Sequence, residues 1–247
     1  MTIHTEIPNI GLGTYMMSPD EAEKMTYEAI KVGYRHIDTA EVYRNEKGVA
    51  EGINKAISNN IVKRSDLFIT TKVFPGNERW GQNQKTYQDV VEAFNKSLER
   101  LELSYVDLYL IHSAHADQTR VEQWKALIDL KQEGHIKFAG VANWNINHLQ
   151  ELKENNLLLP DTNQIELHPW TQQPELVSYL KENKIHIIAY SSLVPLSTWR
   201  TKEGENSLKT TKMQAEGESD DSLFKSLANK YNVKESQILL QWALQNN

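Results

Sequence analysis

Short apolar runs alternate with longer amphipathic ones along the chain. The alternation predicts seven strands, at 10–14, 36–39, 67–73, 106–112, 138–142, 163–167 and 185–190. Several are rich in branched or aromatic residues and almost continuously apolar, as strands buried on both faces are. Helical patterns lie between them. One opens at Ser18-Pro19-Asp20-Glu21, which joins an N-cap serine, a proline at the first helical position and the glutamate of a capping box. Another sets Val91, Phe94, Leu98 and Leu101 on one stripe, with Glu92, Lys96, Glu99 and Arg100 on its far side. A last helical stretch is expected over 221–242, broken near Asn232. The connection 194–221 is long, polar and without periodicity, and reads as a lid over a site or as a disordered stretch.

Strand and helix in repeated alternation, without a linker, is the pattern of parallel α/β architecture. Two arrangements compete, an open doubly wound sheet and a closed barrel. The first strand runs into Gly11-Leu12-Gly13-Thr14-Tyr15-Met16, so the third glycine of the dinucleotide-binding fingerprint is missing. Polar residues sit instead at the ends of many strands, which suits a barrel. The expectation is a single domain over residues 1–247, a parallel (β/α)8 barrel of the TIM type that ends after its seventh strand–helix unit.

Composition narrows the partners. Acidic residues outnumber basic ones, 33 to 27, for a net charge of −6, and no basic run stands out. That weighs against nucleic acid or an anionic membrane as the main partner. The chain has no cysteine, which removes disulfides, thiolate nucleophiles and thiolate metal sites. The polar N-terminus and the lack of a span-length apolar run make the cytoplasm the expected compartment.

The chemistry is concentrated where strands finish. The second strand ends in Asp38-Thr39-Ala40, with Tyr43 in the loop beyond; the third ends in Thr71-Lys72, the fourth in Ile111-His112. The C-terminal ends of neighbouring barrel strands converge on one mouth. A carbonyl that accepts hydride becomes an alkoxide and must be protonated. Tyr43 would donate that proton and Lys72 would lower the pKa of its phenol. Asp38 would anchor the lysine, and His112 would orient the carbonyl through a ring N–H. Taken singly, each has an ordinary reading: a turn or cap for Asp38, packing for Tyr43, a solvated strand end for Lys72, a core histidine for His112. Their joint occurrence at three successive strand ends favours chemistry.

The stretches around these residues, with Asp107-Leu108-Tyr109-Leu110-Ile111-His112, Gly140-Val141-Ala142-Asn143-Trp144, Asn163-Gln164-Ile165-Glu166-Leu167-His168-Pro169 and Ala189-Tyr190-Ser191-Ser192-Leu193, resemble the aldo-keto reductase family. Gln237-Ile238-Leu239-Leu240-Gln241-Trp242 resembles that family's last long barrel helix. The resemblance implies that Asp38, Tyr43, Lys72 and His112 form the family tetrad. It implies NADPH as cofactor, with NADH left open, and a small carbonyl compound as substrate. Asn143 and Gln164 would hold the nicotinamide carboxamide and Tyr190 would stack on its ring. Ser191 and Leu193 would begin the loop across the pyrophosphate, and Thr14 and Asp38 would lie at the cofactor's inner edge. Tyr15, Trp80 and the stretch from Ser113 to Ala116 would border the substrate. No metal site is expected.

Four departures from the family pattern stand out. Ala142 replaces a common serine, and Ser113 replaces a common aromatic. The chain also stops before the strand and helix start that grip the adenosine 2′-phosphate, and the N-terminal hairpin is shortened. These features keep open a non-catalytic binding or regulatory barrel, or an inactive fragment. A metal-dependent hydrolase is a third reading, but the eight histidines are scattered and no His-Glu-x-x-His occurs.

Overall fold

A computed structural model of the chain describes residues 7–196, 215, 219 and 222–246. Two compact units are formed. The first holds the chain up to Asn163 together with Lys184–His186; the second holds Gln164–Asn183 and the chain from Ile187 onward.

In the first unit, β1 (Gly11–Gly13), β2 (His36–Asp38), β3 (Phe68–Val73), β4 (Val106–Ile111) and β5 (Ile136–Ala142) pair in parallel and in chain order. The order continues through β6 (Thr162–Glu166) and β7 (His186–Tyr190). Their first residues belong to the same unit: the Asp161 N–H donates to the Ala139 carbonyl and the His186 N–H to the Asp161 carbonyl, both at 2.9 Å. Every residue of β3 and β4 is buried, including the polar Thr70, Thr71, Lys72 and Asp107.

Most expected strand bounds hold to within a residue at each end. The exception is β5, which begins at Ile136, two positions before the expected 138. Lys137 disguised this start. Its exposed ammonium reaches Asp107 at 2.6 Å, so the position is polar yet part of the ladder. Asp107 is fully buried and its other oxygen accepts from Arg64 at 2.8 Å and from the Ile69 N–H at 2.9 Å. One carboxylate thus ties the beginnings of β3, β4 and β5. An unpaired charge there would cost several kcal/mol.

Between the strands run α1 (Pro19–Lys31), α2 (Glu46–Ser58), α3 (Tyr87–Leu101), α4 (Arg120–Gln132) and α5 (Ile146–Glu154). The capping box of α1 is formed: the Glu21 N–H donates to Ser18 Oγ at 3.3 Å and the Ser18 N–H to the Glu21 carboxylate at 2.8 Å. In α3 the buried face is Val90, Ala93, Phe94, Ser97 and Leu101, turned by about one position from the expected stripe. Val91 and Leu98 are only half-buried. Ala93 and Ser97 are small enough to seat the helix closely, and an apolar stripe drawn from large residues alone misses them.

The second unit contains the ends of β6 and β7, joined by the Leu167 N–H donating to the Tyr190 carbonyl at 3.3 Å. It also contains α6 (Pro174–Glu182) and helices at Leu223–Tyr231 and Glu235–Asn246. The expected break falls at Asn232, in the left-handed region at φ 53°. Of the 194–221 connection, the described part is the short 3-10 turn Val194–Leu196 with residues 215 and 219; the rest of the expected lid lies outside the described residues.

Helices α1 and α2 meet at Gly48. A Cβ there would stand 2.0 Å from the Pro19 carbonyl oxygen. Alanine gains about 1 kcal/mol over glycine in helix propensity, but overpacking against backbone costs about 1–3 kcal/mol. Gly48→Ala is therefore expected to lower the urea midpoint. A raised midpoint would show that the helices are not in such close contact.

Candidate active site

The first unit brings Asp38, Tyr43, Lys72 and His112 together. Asp38 is the last residue of β2 and pairs in register with Thr70, while Lys72 in β3 pairs with Leu110 in β4. His112 follows β4 and continues the ladder through its N–H, which donates to the Val73 carbonyl at 2.9 Å. Tyr43 ends a 3-10 turn, Glu41–Tyr43, that Arg44 closes in the left-handed region at φ 57°.

Asn45 fixes this turn to the sheet, and sequence reasoning missed it. Its Nδ2 donates to the carbonyls of Thr14 at 2.8 Å and Met17 at 3.0 Å, and its Oδ1 accepts from Thr39 Oγ1 at 2.9 Å. Asparagine before a helix reads as an N-cap, yet this side chain makes no capping bond to α2. Only the partners' location in the fold shows its use.

Lys72 is fully buried. Its ammonium donates to Asp38 Oδ1, to the Thr39 carbonyl at 2.9 Å and to the Tyr43 hydroxyl at 3.3 Å, which occupies all three N–H bonds. The same ammonium lies 4.9 Å from the Tyr43 ring centroid. Burial lowers the Lys72 pKa, and the Asp38 carboxylate opposes that shift.

Tyr43 departs from expectation. Its pKa is raised well above the ordinary phenol value, first by burial and then by the carboxylate of Asp38. Lys72 was expected to lower it; the loss of water around the phenolate outweighs the nearby ammonium. The Tyr43 hydroxyl lies 3.4 Å from His112 Nε2, and the two rings meet at 74° with centroids 5.5 Å apart. His112 is pushed down to about 3 by burial and then by the charge of Lys72, so its ring is neutral near pH 7. Its Nδ1 is buried without a hydrogen-bond partner among the described residues. An orphaned buried N–H is rarer than an orphaned acceptor, which favours the tautomer that carries the proton on Nε2.

Around this core, Thr14 is buried, with its N–H donating to the Asp38 carbonyl at 2.9 Å and its hydroxyl at 3.2 Å. Tyr15 is exposed and its ring centroid lies 5.1 Å from that of Tyr43. Trp80, also exposed, stacks on Phe74 at 6.0 Å and meets His115 at 5.3 Å. Ser113 Oγ is 2.8 Å from His115 Nδ1. Asn143 follows β5 in the left-handed region at φ 62°, and its Nδ2 donates to the His112 carbonyl at 3.0 Å. Ala142 is buried.

The other expected cofactor residues belong to the second unit. Gln164 is buried in β6 and Tyr190 ends β7 half-buried. Ser191 turns the chain at φ 58°, and Leu193 is exposed.

The model of the aldo/keto reductase family matches residues 9–247. The chain is 38% identical to the methylglyoxal reductase of Yersinia pestis over 239 residues, 96% of this chain and 75% of the relative. It is 37% identical to the glyoxal reductase of Bacillus subtilis over 241 residues, 97% of this chain and 76% of that one. Among solved structures, a Bombyx mori aldo-keto reductase in complex with NADP superposes with a TM-score of 0.81 at 34% identity, covering 97% of this chain and 77% of the other. Seven parallel strands with helices between them are the β/α-barrel class that the sequence pattern predicts. The chain belongs to the aldo/keto reductase family.

Proposed function

We propose that the chain reduces small aldehydes or ketones to alcohols with NADPH as the hydride source, and that Tyr43 delivers the proton. The observation that carries this reading is the single hydrogen-bonded network of Asp38, Lys72, Tyr43 and His112, drawn from three successive strand ends. The methylglyoxal and glyoxal reductases among the relatives point to compact, reactive dicarbonyl compounds as the substrate class.

The residues present fit a nicotinamide cofactor. Asn143 offers the paired donor and acceptor of a carboxamide, the chemistry that matches the carboxamide of nicotinamide. Asn143 stands next to His112, held by its bond to the His112 carbonyl. NADPH, when bound, supplies the hydride.

The chain's own residues handle the oxygen and the proton. His112, neutral and protonated on Nε2, donates to the carbonyl oxygen and fixes its position beside the Tyr43 hydroxyl. Tyr43 is a phenol at neutral pH, as an ordinary tyrosine already is, and its raised pKa extends that state further into the alkaline range. The Tyr43 hydroxyl passes its proton to the oxygen of the carbonyl as negative charge develops there. The phenolate left behind faces the Lys72 ammonium at 3.3 Å. That attraction grows only as charge develops on Tyr43, which is the condition for accelerating the step. Asp38 and the Thr39 carbonyl keep the ammonium charged and aimed. Tyr15, Trp80 and Ser113 are proposed to border the substrate.

Two outcomes are expected. Tyr43→Phe should lower kcat by about 10²–10⁴-fold, the usual share of a general acid, with NADPH affinity nearly unchanged. Turnover kept within a few-fold would contradict the assignment. Because His112 is held at about 3, it stays neutral through the range in which a free histidine titrates. The profile of kcat/KM against pH should therefore lack an inflection near 6.5 (the ordinary histidine value). An inflection there that disappears in His112→Asn would overturn the role given to it.

A further inference from the structure

A hollow in the first unit lies beside the turn that carries Tyr43. Its volume is about 540 Å³, within the range of small-molecule sites. The charged residues lining it are Glu41, Arg44, Glu46, Lys47, Lys85 and Arg100, so four cations face two carboxylates. This excess stands in a chain whose net charge is −6.

The two carboxylates are already satisfied. Glu41 Oε1 accepts from the Phe74 N–H at 2.6 Å and from Lys85 at 3.1 Å. Glu46 is buried, accepting from Thr71 Oγ1 and from Arg100 Nε, each at 2.6 Å. Arg44 and Lys47 are exposed, and neither side chain has a hydrogen-bond or ion-pair partner among the described residues. Gln82 and Asn83 line the same hollow. The residual field therefore comes from two uncommitted cations, with Gln82, Asn83 and Phe74 also among the lining residues.

Arg44 adds an independent observation. It is a non-glycine residue in the left-handed region, φ 57°, in the turn that closes behind Tyr43. Such residues are uncommon, and the conformation persists only where the surroundings enforce it. Here it sets a guanidinium at the rim of the hollow, where the planar fork suits a tetrahedral or planar oxyanion.

We propose that this hollow is a binding site for a compact dianionic group carried on a small organic molecule. A phosphate monoester and a short dicarboxylate share the required chemistry: two negative charges for Arg44 and Lys47. The group would sit against Arg44, which follows Tyr43 in sequence, so an occupant holds the turn that carries the phenol. The proposal does not depend on the catalytic reading, because none of the cations named is part of the Asp38–Lys72–Tyr43–His112 network.

The test is calorimetric titration at constant ionic strength with inorganic phosphate and, separately, with malonate. Saturating NADP in the cell occupies any cofactor pocket that accepts phosphate. The protein is compared with Arg44→Gln/Lys47→Gln and with Lys47→Gln alone, both at exposed positions, after circular dichroism confirms the fold. Saturable binding at roughly millimolar concentration by at least one probe is expected, weakened by about tenfold or more in the double variant. Binding of phosphate alone identifies a phosphate monoester as the ligand class; binding of malonate alone identifies a dicarboxylate. Binding of neither probe, or equal binding by the protein and the double variant, overturns the proposal.

Discussion

The buried ammonium of Lys72 is the interaction on which the site depends. A lysine with no exposed surface would lose its charge or destabilise the fold unless every N–H found an acceptor. Three acceptors are present, from Asp38, Thr39 and Tyr43, and all come from the end of β2 and the turn after it. Satisfying the lysine therefore fixes the turn, and fixing the turn places the phenol. Asn45 completes the constraint by tying Thr39 to the loop after β1. Its bonds make the position of Tyr43 a property of the sheet rather than of a free loop.

The same burial separates the protonation states of the two rings at the site. Both Tyr43 and His112 have lost water, and in each the neutral form is favoured, which raises an acid and lowers a base. Their neighbours act less strongly: Asp38 adds to the shift on Tyr43, and Lys72 adds to the shift on His112. Under the proposed function, one ring keeps a proton to give and the other keeps an N–H with which to orient. The two roles follow from one environment, as in sites where neighbouring titratable groups are driven apart.

Much of this was legible in the sequence for a local reason. Strands β3 and β4 are largely apolar stretches with Lys72 and His112 at or just past their ends, so both residues announce themselves, and the capping box of α1 is complete within four residues. What could not be read depends on distant partners. Lys137 looks like a loop residue until Asp107 is placed beside it, and Asn45 looks like a helix cap until Thr14 and Met17 are. The buried face of α3 is chosen by small residues whose neighbours lie on other elements. The pKa of Tyr43 follows from burial, which no spacing reveals, and so the expected lowering by Lys72 gave way to a rise. The hollow lined by Arg44 and Lys47 is assembled from positions 41–100 and has no contiguous motif.

Under the proposed function, Lys72 acts on the reaction through the charge that develops on Tyr43. Lys72→Met tests it most directly, since methionine keeps the length and apolar stem but removes the ammonium. The measurement is kcat with a small aldehyde beside the NADPH dissociation constant, on protein shown to be folded. The expected result is a kcat lower by at least about 10²-fold with cofactor affinity within a few-fold of the parent. A folded variant that retains its kcat would contradict the account.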